Sequence, residues 1–217
     1  MVLCAAGVTS ASAQKFSKKI QERQEARAAN YFYGASFTLA AGYVHSWLST
    51  ADVAVSSLSY GQSVSARNTR EAFDIGFVYD QSFSRHIGLQ TGIYYVEKGG
   101  ELWTFYDGGL GYGNIKRDSE TLRTRAVELQ ALARGFVPTS RTSRVSVNAG
   151  FALSRIIKSD GDFGKWDMAP VVGLGFDWQH VAASVNYQPG IYTHLYTHSQ
   201  TKMSAVYVNI GYRFWKE

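Results

Sequence analysis

The sequence predicts an all-β protein, an eight-stranded antiparallel up-and-down transmembrane β-barrel, and three observations lead there. From Tyr31 onward the residues alternate with period two, the spacing that sends neighbouring side chains to opposite faces of a sheet. The connections alternate between short and long, the rhythm of a barrel with short periplasmic turns and long outer loops. One strand face is large and apolar throughout, and the other is built from Gly, Ser, Asn and Ala with isolated charges. Composition agrees. The chain has 217 residues with 14% aromatic, 21 Gly and only 3 Pro, and its charged share of 18% is low for a solvated surface. No apolar run reaches the roughly 18 residues of a membrane helix. One cysteine, Cys4, leaves no disulfide framework and no Cys-based zinc site.

In chain order, MVLCAAGVTSASAQ ends in Ala11-Ser12-Ala13, the small-residue pattern of a signal-peptidase site. Residues 1–13 are therefore expected to be a signal peptide, incomplete because no basic stretch precedes its apolar part. Cys4 then falls inside the leader, and Val2-Leu3-Cys4 is a poor match to a lipoprotein site. Residues 14–30 carry Lys15, Lys18, Lys19, Arg23 and Arg27 against Glu22 and Glu25, a basic periplasmic segment. This tail supplies much of the net charge of +5, so the charge is no argument for nucleic acid, and no nucleic-acid motif is present.

The barrel is expected over 31–217, with strands at about 31–47, 70–81, 86–98, 123–136, 144–155, 168–178, 181–189 and 203–214. Long outer loops would run from Ser49 to Asn68, Gly99 to Leu122 and Gly190 to Lys202, with a medium one from Lys158 to Trp166. Short turns would fill Ser82 to Arg85, Val137 to Ser143 and Gln179-His180. Pro138, Pro170 and Pro189 fall at strand ends or turns, where a missing N–H breaks no ladder. The apolar face holds Phe73, Ile75, Phe77 and Tyr79 in the second strand and Val206, Val208, Ile210, Tyr212 and Phe214 in the last. In the fifth strand it holds Val145, Val147, Ala149, Phe151 and Leu153. A soluble sandwich would put Lys and Glu on its polar face, so the apolar face is assigned outward, toward lipid. Trp47, Trp103, Phe105, Trp166 and Tyr192 mark the outer strand ends, and Phe83, Phe136, Trp178 and Trp215 the periplasmic ones, as interfacial girdles.

Four inward positions near the periplasmic ends are charged: Asp80, Arg134, Asp177 and Arg213. An unpaired charge in a confined interior is costly, so they are expected to form a mutually cancelling ion-pair cluster, with Asp74, Glu128 and Lys98 higher up. That cluster and inward Tyr94, Leu132 and Phe136 argue against a small passive channel.

The segment FDIGFVYDQSFSRHIGLQTGIYYVEKGGE, Phe73 to Glu101, resembles the second and third strands of the PorT-like outer-membrane β-barrel family typical of Bacteroidota. VELQALARGFVP, Val127 to Pro138, is similar to that family's fourth strand, and YVNIGYRF, Tyr207 to Phe214, to its closing strand. The closing strand also resembles the aromatic-terminated signal read by the barrel-assembly machinery. The resemblance implies an eight-stranded barrel in the outer membrane of a Gram-negative bacterium, some members of which are linked to type IX secretion. It brings no catalytic residues and no cofactor. The function expected from it is a noncatalytic structural or accessory subunit of a larger assembly, in contact with outer-membrane lipid, lipopolysaccharide and other outer-membrane or periplasmic proteins.

Three candidate sites stand beside that reading. The loop stretch with Trp103, Phe105 and Tyr106 exposes aromatics among flexible glycines, a composition suited to protein contact. His194 and His198, four apart in the last outer loop, with His45 near the outer end of the first strand, are the candidate metal ligands. No carboxylate or cysteine of that loop completes a site, so solvated histidines are the favoured reading and no metal is assigned. A lipid A-modifying enzyme would need His194, His198 and Ser199 with an acid from Asp107 or Asp160, and nothing in the sequence fixes that geometry.

Overall fold

The computed structural model describes residues 32, 34–50, 62–107, 115–160, 165–190, 194–196 and 199–216. The leader and the basic segment 14–30 lie outside them. The strands are β1 (Gly34–Thr50), β2 (Gln62–Ser82), β3 (Ile87–Asp107), β4 (Ile115–Pro138), β5 (Ser143–Ser159), β6 (Trp166–Trp178), β7 (Val181–Gln188), β8 (His194–Tyr196) and β9 (Ser199–Lys216). Each stave pairs antiparallel with the next in chain order, and β1 pairs with β9 to close the sheet. Seven staves, β1 to β7, and β9 make the eight-stranded barrel. The short β8 only hydrogen-bonds the start of β9, from His194↔Thr201 to Tyr196↔Ser199. Closure leaves the lower wall without a free edge.

Alternation is why these residues form these strands. Phe73, Ile75 and Phe77 are exposed on β2 while Asp74, Gly76, Val78 and Asp80 are buried, and Phe151 and Leu153 alternate with Ala152 and Ser154 on β5. The same holds on β9, where Val208, Ile210, Tyr212 and Phe214 face out. A continuous ring of exposed Phe, Ile, Leu and Val is unstable against water and stable against acyl chains, so the barrel spans a bilayer, as outer-membrane barrels do. Among the described residues no helix is long and apolar enough to cross one. On β5, Val145 to Arg155 is ten residue steps, which at about 3.3 Å each and the usual tilt of about 40° is about 25 Å, the height of the apolar band of such barrels. Trp166 and Trp178, both exposed, stand at the two rims of β6.

The interior is filled by side chains. Ala40, Val44, Val78, Tyr94, Val96, Ala205 and Tyr207 pack as one cluster, with Leu132, Ala152 and Val171 as a second. The Tyr94 ring packs against Gly76 and Gly92, which leave room for it: a Cβ at either would come within 2.4 or 2.6 Å of the ring. The two-residue connection from β6 to β7 places Gln179 at φ 49, and Arg213 donates its backbone N–H to the His180 carbonyl at 2.7 Å.

Four expectations change. The stretch Gly99 to Leu122 is not a long loop: β3 and β4 stay paired from Lys98↔Thr124 up to Asp107↔Ile115. β2 likewise begins at Gln62 rather than near 70, pairing with β3 up to Gln62↔Tyr106. Turn-forming glycines flanking alternating residues are compatible with a hairpin, and paired backbone groups settle the choice. Pro170 lies within β6 rather than at its end. Pairing with β7 stops at Val172↔Tyr187, so above that point β6 is an edge, which tolerates proline. Phe136 is buried in the lumen and not part of the periplasmic girdle.

Candidate functional site: the lumen and its rims

Two polar clusters close the lumen at different heights. In the lower one, near the periplasmic turns, Arg134 Nη1 donates to Asp80 Oδ1 at 2.8 Å and its Nη2 lies 3.4 Å from Asp177 Oδ2. Arg144 Nε donates to Asp177 Oδ2 at 2.7 Å, and Arg213 Nη2 to Asp177 Oδ1 at 3.3 Å. Other guanidinium donors reach Ser146 (2.8 Å), Ser82 (3.0 Å), Asn148 (3.2 Å) and the Gln179 carbonyl (3.2 Å), while Arg213 Nε is buried without a hydrogen-bond partner. Arg144 is sandwiched between the rings of Phe136 (3.6 Å) and Phe32 (4.5 Å). All five charged groups are almost wholly buried.

Asp80, Arg134, Asp177 and Arg213 thus meet, but their charges do not cancel within the cluster, because Arg144 joins them. Three guanidiniums against two carboxylates leave one positive charge. Arg144 stands outside the four charges expected here, although its parity with inward Ser146 and Asn148 points to the lumen.

The upper cluster is neutral in its central pair. Lys98 Nζ meets Glu128 Oε2 at 2.5 Å and Gln188 Oε1 at 2.8 Å, and its ammonium lies 5.5 Å from the Tyr207 ring centre. Glu128 also accepts from Gln130 (2.7 Å) and Ser154 (2.7 Å), and the Tyr207 hydroxyl donates to Gln188. Asp74 lies beside this network and accepts from Asn209 Nδ2 at 3.0 Å. Between the two clusters a void of about 20 Å³, bordered by Thr38, Asp80, Tyr94 and Arg134, has room for about one water.

The candidate histidines are not brought together. His45 is on the outward face of β1, where its ring lies 6.4 Å from Tyr43 and 6.1 Å from Trp47, as one more member of the girdle. Its register partner is Val206, whereas His194 is level with Thr201, which pairs with Thr50 five residues farther along β1. At about 3.3 Å per residue that is about 16 Å along the strand, too far for one ion. His198 lies outside the described residues. Among those described, no group of three His, Cys, Asp or Glu is placed to hold a metal. Of the acids considered for a Ser/His set, Asp160 directly follows β5, three staves from β9 and about 14 Å along the wall at the usual strand spacing. Asp107 is level with Ile115 at the far tip of the β3–β4 hairpin. Trp103, Phe105 and Tyr106 lie in strand β3, on that raised hairpin, at the levels of Ser119, Arg117 and Lys116.

No protein-family model matches the chain, and no curated protein is significantly similar to it. Among solved structures it is similar to the outer membrane protein OprG from Pseudomonas aeruginosa, with 11% identity and a TM-score of 0.48, over 86% of this chain and 99% of that one. It is similar to Neisserial surface protein A at 14% identity and a TM-score of 0.45, over 83% of this chain and 99% of that one. A third is Ail, the attachment invasion locus protein of Yersinia pestis, at 12% identity and a TM-score of 0.42, over 83% and 99%. These similarities are too distant to carry function. The assignment to a bilayer-spanning barrel rests on strand order, closure and the apolar belt.

Proposed function

We propose that this chain is a noncatalytic outer-membrane barrel of the PorT-like kind, a closed structural or accessory subunit of a larger outer-membrane assembly with a role in secretion. The observation that carries the reading is the contrast between a lumen shut at two heights and a paired arm raised above the bilayer. Asp177, Glu128, Leu132 and Tyr207 are all buried to within 1% of complete, which favours an anchor over a conduit.

The arm supplies a surface for the partner. β4 begins at Ile115, twelve positions above Val127 on the apolar belt, and β2 and β3 rise beside it. β1 stops pairing with β2 at Trp47↔Thr69, and β5 with β4 at Thr124↔Ser159. Among the described residues, the strand edges at 62–68 and 115–122 therefore have no paired neighbour on one side. Open edges beyond the membrane are suited to taking a strand from another chain.

Replacing residues 102–120 by a two-residue turn tests this. The expected outcome is a barrel that still assembles and migrates as a folded species before heating, while a partner that co-elutes stoichiometrically with the intact protein in mild detergent is lost. Co-elution of the same partner with the shortened protein would sink the arm as the contact. Discrete conductance steps in a planar bilayer would replace the proposal with a channel, and hydrolysis or transfer of a lipid A acyl chain would replace it with an enzyme.

A further inference from the structure

The outer wall carries a groove whose chemistry is unlike the rest of the belt. It lies at the extracellular rim across β3 to β6, a shallow depression open to the outside with a volume of about 960 Å³, and Ile93, Val127, Leu129, Leu153, Ile157 and Trp166 are among its lining residues. The cause is a register shift: Arg125 pairs with Lys158 but Ala126 pairs with Ile156, so Ile157 is an extra residue that bulges from β5. Ile157 is 62% exposed and Trp166 55%, and both stand on the rim of the apolar belt.

Directly above the apolar floor the wall turns cationic. Arg155 and Lys165 line the groove, and Arg155 lies 5.6 Å from the Trp166 ring centre. Arg123, Arg125 and Lys158 border a small adjoining hollow together with Asp160. The nearby acid Glu97 is held by Arg125 Nε at 2.7 Å. Among the described residues here, five cations stand against the two acids Glu97 and Asp160, an excess of three positive charges. Arg155 is ten residue steps above Val145, which puts it about 25 Å up the wall, where acyl chains give way to head groups.

We propose that this groove is a specific binding site for lipid A of the outer leaflet. Its acyl chains lie over Val127, Leu129, Leu153 and Ile157, and a glucosamine phosphate is held by Arg155 and Lys165. Charge complementarity selects this occupant: a glycerophospholipid has acyl chains and a single phosphate, but the outer leaflet to which this rim belongs presents phosphorylated glycolipid. Guanidinium and ammonium groups side by side suit phosphate oxygens, and Trp166 provides a flat face for a sugar ring. The inference rests on the bilayer placement of the barrel and not on its role as a subunit.

The test is native mass spectrometry of the full-length barrel released from nanodiscs of defined composition, with lipid A, dephosphorylated lipid A and phosphatidylglycerol as separate probes. Wild type is expected to retain one lipid A, with about tenfold lower retention in the R155Q/K165Q double variant, the loss of about one charge-assisted contact. Ile157→Ser should lower retention as well, and dephosphorylated lipid A should be retained no better than by the double variant. Lys202→Gln, an exposed cation on β9 outside the groove, should bind as wild type does. Equal retention by wild type and R155Q/K165Q overturns the proposal. So does an equal loss in Lys202→Gln, which would reduce the effect to general surface charge, or equal retention of phosphatidylglycerol. Unchanged heat-modifiable gel migration of each variant separates lost binding from lost folding.

Discussion

The two clusters inside the barrel solve the same problem differently. The upper one is built around a single ion pair, Lys98 and Glu128, surrounded by the neutral partners Gln130, Ser154, Gln188 and Tyr207. The lower one concentrates three guanidiniums on Asp177 and Asp80, with aromatic rings and serine hydroxyls taking the surplus. Removing charge from water is costly for both, and each is tolerable only because every ion has partners. Each cluster therefore fails at a different point. The upper cluster depends on a pair that is removable as a unit, whereas the lower one depends on one carboxylate with three dependents.

The largest effect is therefore expected at Asp177. Asp177→Ala strands Arg144 and Arg213 without their carboxylate and weakens Arg134, so a loss at or above about 5 kcal/mol is expected, the upper end for breaking a buried pair. Urea titration of the refolded barrel in detergent would show it, and a midpoint within error of wild type would contradict the central role of Asp177. Lys98→Met should cost about 3 kcal/mol because it leaves Glu128 buried and unpaired, and K98M/E128Q should recover most of that loss. The same compensating change is not available around Asp177. If K98M/E128Q were as unstable as Lys98→Met, the upper cluster would not be a separable pair.

On the outside of the wall, Ile210→Arg should cost about 2–4 kcal/mol and lower the assembled fraction in the membrane, because Ile210 is 64% exposed in the middle of the apolar belt. Phe77→Arg should behave alike. Normal membrane insertion of both variants would reverse the assignment of faces. The smallest effect is expected from Arg213→Gln, about 1 kcal/mol. It removes the surplus positive charge while Arg134 and Arg144 still hold Asp177, and a glutamine amide can still donate. A loss as large as that of Asp177→Ala would show that the third guanidinium is indispensable.

Much of the site was legible because parity along a strand is a local property. Asp80, Arg134, Asp177 and Arg213 share the inward face with Ser, Gly and Asn, and that alone put them in the lumen. Arg144 follows the same parity, but it stands next to a turn at the start of β5, where a long side chain is usually solvated, so parity alone does not place it in the lumen. Its partners, Ser82 and Asp177, are sixty-two and thirty-three residues away, and no local pattern names them. The girdle shows the same split. Trp166 and Trp178 face out as expected, while Phe136 turns inward beneath Arg134 and Arg144.

Period-two alternation and turn spacing are written in consecutive residues, so the all-β class, the eight staves, the apolar face and hence the bilayer span were already legible in the chain. How far β2, β3 and β4 stay paired above the membrane, which charges meet in the lumen, and the separation of His45 from His194 emerge with the folded barrel. Those outcomes depend on register and closure, which set distances between residues that no local pattern connects.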